Sequence, residues 1–323
     1  MFKQQKFFKF LAIGLAMTAG LAQAQSYPNR PVKIVVPFAA GGPADNYARF
    51  MAQRLTEELK QSFVIDNKPG AGSIIGTDLA AKSPADGYTL LMMSNTHTVN
   101  ESLIPTKPFA LMRDFVGIAP INYSALLLVA HPSVPVKNVA ELVALAKSRP
   151  GKINYASSGN GTPYHMAGEL FKFMAGIDMT HVPYKGSSGA RTDIVGGQVD
   201  VMFDAETTMA TLSREGKVRA LAGTGLTRSS NLPDLATVHE SGVPRFEASI
   251  WLGLMAPKGT PADVVNRLNA EVRKIVNNPD VKAAWAKQGA VPMSMTVSEF
   301  DQYLSADIAK WANIVKISGA KPD

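Results

Sequence analysis

The loop at residues 37–45, Pro-Phe-Ala-Ala-Gly-Gly-Pro-Ala-Asp, contains no lysine, histidine or cysteine. It follows the apolar stretch at 32–36 and precedes an amphipathic stretch, so we predict a strand, a tight turn and a helix. The first turn of a helix leaves main-chain N–H groups unpaired. Gly41 and Gly42 let that backbone come close to a ligand, in conformations that other residues avoid. The chemistry predicted for this loop is the binding of an anion by main-chain groups.

Two further loops repeat this design. Residues 157–165, Ser-Ser-Gly-Asn-Gly-Thr-Pro-Tyr-His, again lie between a predicted strand and a predicted helix, and Lys185-Gly186-Ser187-Ser188 also precedes a helical stretch. Ser94 and Thr96 follow the strand predicted at residues 88–93. Because ligands of open α/β sheets bind at the carboxyl ends of strands, we expect the loops to face one another across a cleft.

A metal site or a catalytic centre is the alternative chemistry. His97, His165 and His181 lie on separate predicted elements without an i, i+4 pair, which favours isolated histidines. A serine hydrolase would carry Gly-x-Ser-x-Gly, and the segment 186–189 is the nearest approach but lacks that spacing. The glycines of the loop at 70–76 do not have the spacing of a dinucleotide-binding turn. We therefore expect no metal, no cofactor and no catalytic residue.

Alternating strand and helix patterns predict an α/β fold with mostly parallel sheets. Two strands, at 116–121 and 126–130, follow each other with only Asn122-Tyr123-Ser124 between them, which indicates a crossing into a second lobe. The chain is expected to return near residues 246–251. The predicted division is residues 25–123 and 247–323 for the first lobe and 124–246 for the second. The last helix is predicted to begin with a capping box, with Thr296 as N-cap and Glu299 at N3.

Composition and the N-terminus indicate an exported globular protein. The 323-residue chain is 46% hydrophobic and 18% charged, which is typical of a globular protein. Residues 1–24 have the basic start, short apolar stretch and Ala-x-Ala end of a secretory signal peptide. Their removal takes away three lysines and lowers the formal charge from +7 to +4. With no dense basic run, nucleic acid is not an expected partner. Without cysteine there is no lipid-anchor site or thiol nucleophile, so we expect a free periplasmic monomer.

The motif Pro37-Phe38-x-x-Gly41-Gly42-x-x-Asp45-x-x-Ala48-Arg49 resembles the signature loop of the Bug-type solute receptors. These are the extracytoplasmic binding proteins of tripartite tricarboxylate transporters. Four further blocks are similar to the family, in family order, at residues 67–72, 86–90, 182–186 and 256–261. The resemblance implies a two-lobed type II periplasmic-binding fold, with the ligand cleft between lobes of sheet and flanking helices. Residues 39 and 40 are alanines, where prolines are common in the family.

The same resemblance implies the ligand and the residues that bind it. A small carboxylate would be held by main-chain groups of the two facing loops and by ordered waters, with Asp204 in the water network. The implied ligand-binding residues are Phe38, Ala39, Gly42, Asp45, Ser94 and Thr96 in the first lobe, and Ser158, Gly159, Thr162, Tyr184, Lys185 and Asp204 in the second. By residue chemistry alone, Asp45 could instead pair with Arg49, and Lys185 could be solvated or meet a second anionic group.

The expected function is a non-catalytic receptor that delivers its ligand to the subunits of a membrane permease. A dicarboxylate, a tricarboxylate or an aromatic dicarboxylate is the favoured ligand. Two alternatives stay open, namely a sensor subunit that presents the same ligand to a signalling system and an exported α/β hydrolase.

Overall fold

The computed structural model describes residues 27–322, so the signal peptide predicted at residues 1–24 lies outside the described residues. One sheet of ten strands runs through this part of the chain, flanked by helices. The strands are β1 (Val32–Val36), β2 (Phe63–Asn67), β3 (Thr89–Ser94), β4 (Phe115–Ala130), β5 (Asn154–Ser157), β6 (Thr180–Pro183), β7 (Val201–Ala205), β8 (Arg219–Gly223), β9 (Ser249–Pro257) and β10 (Ala290–Pro292). The helices are α1 (Pro43–Leu59), α2 (Ile74–Ala81), α3 (Asn95–Leu103), α4 (Leu111–Asp114), α5 (Val139–Ser148), α6 (Pro163–Ala175), α7 (Ser187–Val195), α8 (Glu206–Arg214), α9 (Ala262–Asn277), α10 (Pro279–Ala286) and α11 (Val297–Ser318).

Strand β4 joins the two parts of the sheet. Its residues 115–125 pair with β9, and residues 126–130 pair with β7 and β8. The two strands predicted here are thus one strand of 16 residues. The polar residues 122–124 do not interrupt it, because β9 and β10 supply hydrogen-bonding partners on either side. The lobe boundaries near residues 123 and 246 stay a prediction.

The sheet is mixed. Strand β1 pairs in parallel with β2 and β3, and β5 pairs in parallel with β6 and β7. These outer parts match the predicted parallel arrangement. The central strands β4 and β9 are antiparallel, and β9 is also antiparallel to β3. The expectation of mostly parallel sheets therefore holds only away from the centre.

The helices bury the stripes that the sequence predicts. On α1, Tyr47, Met51 and Leu55 are buried against the sheet. Helix α11 begins with the predicted capping box, in which Thr296 Oγ1 accepts from Glu299 N and Glu299 Oε2 accepts from Thr296 N. Between residues 27 and 322, no helix combines the length and the apolar character that crossing a membrane requires.

Candidate functional site

Four helices begin around one cavity. Helices α1, α3, α6 and α7 start at the N-cap residues Gly42, Ser94, Thr162 and Gly186. The cavity and the solvent-filled space at its mouth together span about 320 Å³. Its lining residues are Phe38, Ala39, Gly42, Pro43, Ala44, Ser94, Thr96, Ser158, Pro163, Tyr164, Gly186, Ser187 and Ile250.

The described residues that line the cavity include no aspartate, glutamate, lysine, arginine or histidine. Its electrostatics therefore come from main-chain dipoles, since each helix start carries roughly half a positive charge. At α1 and α7 the N-cap is a glycine, and no side chain caps the first turn. The N–H groups of those two turns are left to meet an anion in the cavity.

Side chains behind the cavity fix the loop at residues 38–42. The Gly41 N–H donates to Asp45 Oδ2 at 2.9 Å, and the Gly41 carbonyl accepts from Arg191 Nη1 at 3.3 Å. The Phe38 carbonyl accepts from Asn67 Nδ2 at 3.2 Å. Gly41 has a φ of +80°, which favours glycine, whereas Gly42 has a φ of −83° that any residue adopts. The prediction that both glycines adopt backbone angles that other residues avoid is thus confirmed for Gly41 and wrong for Gly42.

Asp45 lies beneath this loop, only 2% exposed. Its carboxylate accepts from Gly41 N, from Arg49 Nε and from Asn67 Nδ2, each at 2.9 Å. Burial by itself raises the pKa of Asp45, but these three hydrogen bonds outweigh it and leave the pKa below its ordinary value. The pairing with Arg49 expected from their spacing is therefore present, and the carboxylate holds the loop from behind.

The loop at residues 157–162 is held by its own hydroxyl groups. Thr162 Oγ1 donates to the Gly159 carbonyl at 2.7 Å and accepts from His165 N at 3.4 Å, and Ser157 Oγ accepts from Gly159 N at 3.1 Å. Gly159 has a φ of +124°, and a Cβ there would lie 2.8 Å from the Tyr184 carbonyl. The close approach of these two segments thus requires a glycine.

Histidines support the loop at residues 157–162 and the start of α3 from beneath. His165 and His181 stack with ring centroids 4.1 Å apart, so the expectation of isolated histidines is wrong for this pair. His165 Nδ1 accepts from Gly161 N at 3.1 Å, and His181 Nε2 lies 2.6 Å from Ser157 Oγ. Burial lowers the pKa of His97 to about 4 and, together with His181 and Lys172, lowers that of His165 to about 3. Both are neutral at physiological pH and serve as hydrogen-bonding supports.

Tyr164 brings a neutral hydroxyl to the cavity wall. The side chain is fully buried, and its hydroxyl has no hydrogen-bond partner of good geometry. Burial first, and then the negative charge of Asp204, raise the pKa of Tyr164 well above its ordinary value. The phenol therefore keeps its proton, and it lies close to the Asp204 carboxylate and to Ser187.

The structure brings half of the predicted ligand residues to the cavity wall. Those six are Phe38, Ala39, Gly42, Ser94, Thr96 and Ser158. The other six lie around it, namely Asp45, Gly159, Thr162, Tyr184, Lys185 and Asp204. Whether any of the twelve contacts a ligand stays a prediction.

Three of the outer residues have other partners. Asp204 is fully buried and accepts from Arg191 Nε at 2.6 Å and Arg191 Nη2 at 3.1 Å. The Tyr184 hydroxyl donates to Asp193 Oδ2 at 2.5 Å. Lys185 is exposed, and its carbonyl accepts from Ala39 N at 3.3 Å.

Sequence reasoning missed several lining residues and the arginine behind them. Three of them, Pro43, Pro163 and Ser187, lie in the loops already singled out, so their place in the sequence could have indicated that they line the cavity. Ile250 comes from β9, and nothing in its local sequence indicates a cavity. Arg191 sits on α7 away from the glycine loops. Among residues 27–322, no cluster of three or more histidine, aspartate or glutamate side chains is arranged to hold a metal ion.

The chain is similar to a receptor family and to proteins of known structure. A family model described as tripartite tricarboxylate transporter family receptor matches residues 47–320. Protein BugT of Bordetella pertussis (strain Tohama I) is 38% identical over 311 residues, which cover 94% of this chain and 95% of BugT. The structure of an R. palustris protein with adipate matches with a TM-score of 0.89 at 36% identity, over 92% of this chain and all of that one. MatC from Rhodopseudomonas palustris with bound malate matches with a TM-score of 0.85 at 32% identity, over 90% of this chain and all of MatC.

Proposed function

The chain belongs to the tripartite tricarboxylate transporter receptor family, and from this premise we propose that it is a periplasmic solute-binding protein for a small carboxylate. It takes up the ligand between the facing loops and delivers it to a membrane permease. We assign no catalysis to the binding step, since none of the described residues that line the cavity is a histidine, an aspartate or a glutamate.

One observation carries this proposal, namely that four helix starts surround a cavity whose described lining contains no charged side chain. Burying a carboxylate costs several kcal/mol of solvation. Each helix start returns roughly 0.3–1 kcal/mol, and up to ~2 kcal/mol where it is partly buried. Hydrogen bonds from N–H groups to a charged acceptor add roughly 1.5–3 kcal/mol each. Together these terms offset desolvation without a fixed cation, which suits a ligand that must later be released.

The favoured ligand is a linear dicarboxylate of about four to six carbons. Two relatives of known structure hold adipate and malate. Phe38 and Ile250 offer apolar wall for a carbon chain, while Thr96 and Tyr164 offer hydroxyl groups for a second carboxylate. The Ser94 hydroxyl donates to Thr96 Oγ1.

A thermal-shift screen tests the proposal. The panel consists of malate, adipate, citrate and terephthalate, each beside its neutral amide, added to protein that has been unfolded and refolded to remove any bound ligand. An acid at about 100 times its Kd stabilises the folded protein by roughly 2.7 kcal/mol, which raises the Tm by several degrees. We expect at least one dicarboxylate to do so while its diamide does not. No response from any acid contradicts the proposal, and turnover of a panel member would support a hydrolase instead.

A substitution at Gly42 tests the position of the ligand. A Cβ at Gly42 would lie in ordinary contact with the Ala39 carbonyl, at 3.7 Å, and with Ser187 Cβ, at 3.9 Å. The backbone there accepts a side chain, and Gly42→Val is chosen to narrow the cavity. Gly223→Val is the matched control, because a Cβ there meets nothing within 4 Å and Gly223 does not line the cavity. We expect the first change to abolish the carboxylate response and the second to preserve it. Unchanged binding by Gly42→Val would place the ligand elsewhere.

Export is tested separately. Mass spectrometry of protein recovered from the periplasm is expected to give a chain that begins at Gln25. An intact N-terminus in the cytoplasmic fraction would contradict the proposed location without bearing on the ligand.

A further inference from the structure

The part of the cavity wall formed by Ile250 lies where strand β9 loses one of its two neighbours. Strand β9 pairs with β3 only as far as Leu252, which lies opposite Ser94. The chain then turns into α3 at Asn95. On this edge of β9, residues 249–251 therefore meet no further residue of β3, although β4 continues to pair with them on the other edge. Ile250, which lines the cavity, is the middle residue of this segment.

The side chain of Asn95 supplies the missing partner. Its Nδ2 donates to the Ser249 carbonyl at 2.9 Å, and its Oδ1 accepts from Trp251 N over a long 3.5 Å. A side-chain amide has the same donor and acceptor groups as a peptide, so it extends the hydrogen-bond ladder of β9. Asn95 is 1% exposed and is not among the described residues that line the cavity. Its bonds thus lie on both sides of Ile250, behind the wall.

A second set of bonds fixes the helix from which Asn95 projects. Thr98, in the first turn of α3, donates its hydroxyl to Asp307 Oδ2 at 2.6 Å. The same oxygen accepts from the indole Nε1 of Trp251 at 3.2 Å. All three side chains are buried. The carboxyl group on α11 therefore joins α3 to β9 a second time, and Asn95 projects from a helix that is bonded to the strand at two places.

These bonds bear on the direction of a side chain in the cavity. The backbone angles of a residue decide which side-chain rotamers it can adopt, so hydrogen bonds that hold those angles also hold the side chain. Ile250 is held on one edge by β4, where it lies opposite Ser124, and on the other by Asn95. Thr96, which follows Asn95 in α3, also lines the cavity. One buried amide thus links the apolar wall to the wall that carries a hydroxyl group.

We propose that Asn95 is a positioning residue of this cavity, which sets the place of Ile250 against the carbon chain of the ligand. The inference rests on the proposed function, because it concerns the same cavity. One part of it, the hold on Ile250, is measured without a ligand.

Methyl NMR of the ligand-free protein tests this part. The δ1 methyl groups of isoleucine are labelled with 13C, and the signal of Ile250 is identified by its loss in Ile250→Val. Asn95→Leu keeps the approximate size of the side chain but removes both bonds to β9. We expect the methyl order parameter of Ile250, which reports fast motion of the side chain, to be lower in Asn95→Leu than in the parent protein.

Calorimetry with adipate tests the consequence for binding. The fitted stoichiometry reports the fraction of molecules that are folded and competent, whereas the Kd reports the site in those molecules. Losing the burial of one methylene group corresponds to about a fourfold change in Kd, so we expect Asn95→Leu to raise the Kd by about fourfold at unchanged stoichiometry. Asn95→Ser is a second variant, whose shorter side chain leaves space for a water to bond the strand and so protects folding. It should raise the Kd by a smaller factor.

Asn269→Leu is the matched control. Asn269 is also buried, and its Nδ2 donates to the Ile118 carbonyl at 2.7 Å and to the Met295 carbonyl at 3.0 Å. None of these three residues lines the cavity. The control should lose stability to urea as Asn95→Leu does, yet keep the parent Kd and the parent order parameter of Ile250.

An unchanged Kd and an unchanged order parameter in both Asn95 variants would overturn the inference, as would an equal rise of the Kd in the Asn269 control. A parent protein that binds no panel acid would refute the proposed function. The order parameter of Ile250 would in that case still decide whether Asn95 holds this side chain in place.

Discussion

Replacing Asp45 with asparagine asks whether a carboxylate behind the cavity holds the loop that lines it. Its three hydrogen bonds come from Gly41 N, Arg49 Nε and Asn67 Nδ2. An amide has a single oxygen, so at least one bond is lost together with the charge that attracts Arg49. A hydrogen bond to a charged group contributes roughly 1.5–3 kcal/mol, and we expect Asp45→Asn to lower the free energy of unfolding by about 2–3 kcal/mol.

The pH dependence makes this prediction sharper. The native pKa of Asp45 is lower than its ordinary value, which is about 3.9 for an unfolded chain. The contribution of the carboxylate is therefore complete above the unfolded pKa and is lost as pH falls through the lower native pKa. The stability difference between the parent protein and Asp45→Asn should be constant from about pH 5 to 8 and should shrink below about pH 4.

Urea unfolding followed by tryptophan fluorescence measures this difference at each pH. Glu57→Gln is the control, because Glu57 lies on the same helix and forms an exposed pair with Arg54, worth at most about 1 kcal/mol. The reasoning is refuted if Asp45→Asn is as stable as the control, or if its deficit is undiminished at pH 3.

Three further predictions concern the cavity and the fold. For an acid that is fully ionised between pH 6 and 8, the Kd should change less than about twofold over that range. The reason is that the nearby His97 and His165 stay neutral there. Tighter binding at lower pH, measured by calorimetry, would contradict this and implicate a protonated histidine. Phe38→Ala enlarges the cavity, so the Kd for malate divided by the Kd for adipate should rise in a competition assay. A fall in this ratio would contradict the placement of Phe38 on the cavity wall. Thr296→Ala removes the N-cap of α11 and should lower the free energy of unfolding by about 1 kcal/mol. Ser298→Ala, at an exposed position in the same turn, should lower it little. Equal effects of the two substitutions would show that the cap is unimportant.

Local sequence was enough to predict the loops, because their signals are short-range. Glycines between an apolar strand and a helix start gave the loop at 38–42, and a threonine-proline pair gave the start of α6. The capping box at Thr296 is likewise contained within four residues. Strand β1, which precedes the loop at 38–42, also follows from a β-branched, apolar run.

What could not be predicted depends on residues distant in the chain. Arg191 meets Gly41 across 150 positions, and neither neighbourhood indicates the other. The polar residues 122–124 resemble a break between strands, but β9 and β10 pair with them and carry the strand through. Ile250 reaches the cavity only because β9 returns beside β3 and β4. Such contacts belong to the assembled sheet and not to any segment.

The most direct test of the account is a crystal structure with a bound dicarboxylate, adipate first. We predict one carboxylate between the first turns of α1 and α7, with its oxygens about 2.7–3.2 Å from main-chain nitrogens and with no lysine or arginine side chain bonded to it. A carboxylate paired directly with Lys185 or Arg191, with the N–H groups of both turns left free, would contradict the claim that main-chain groups bind this carboxylate without a fixed cation.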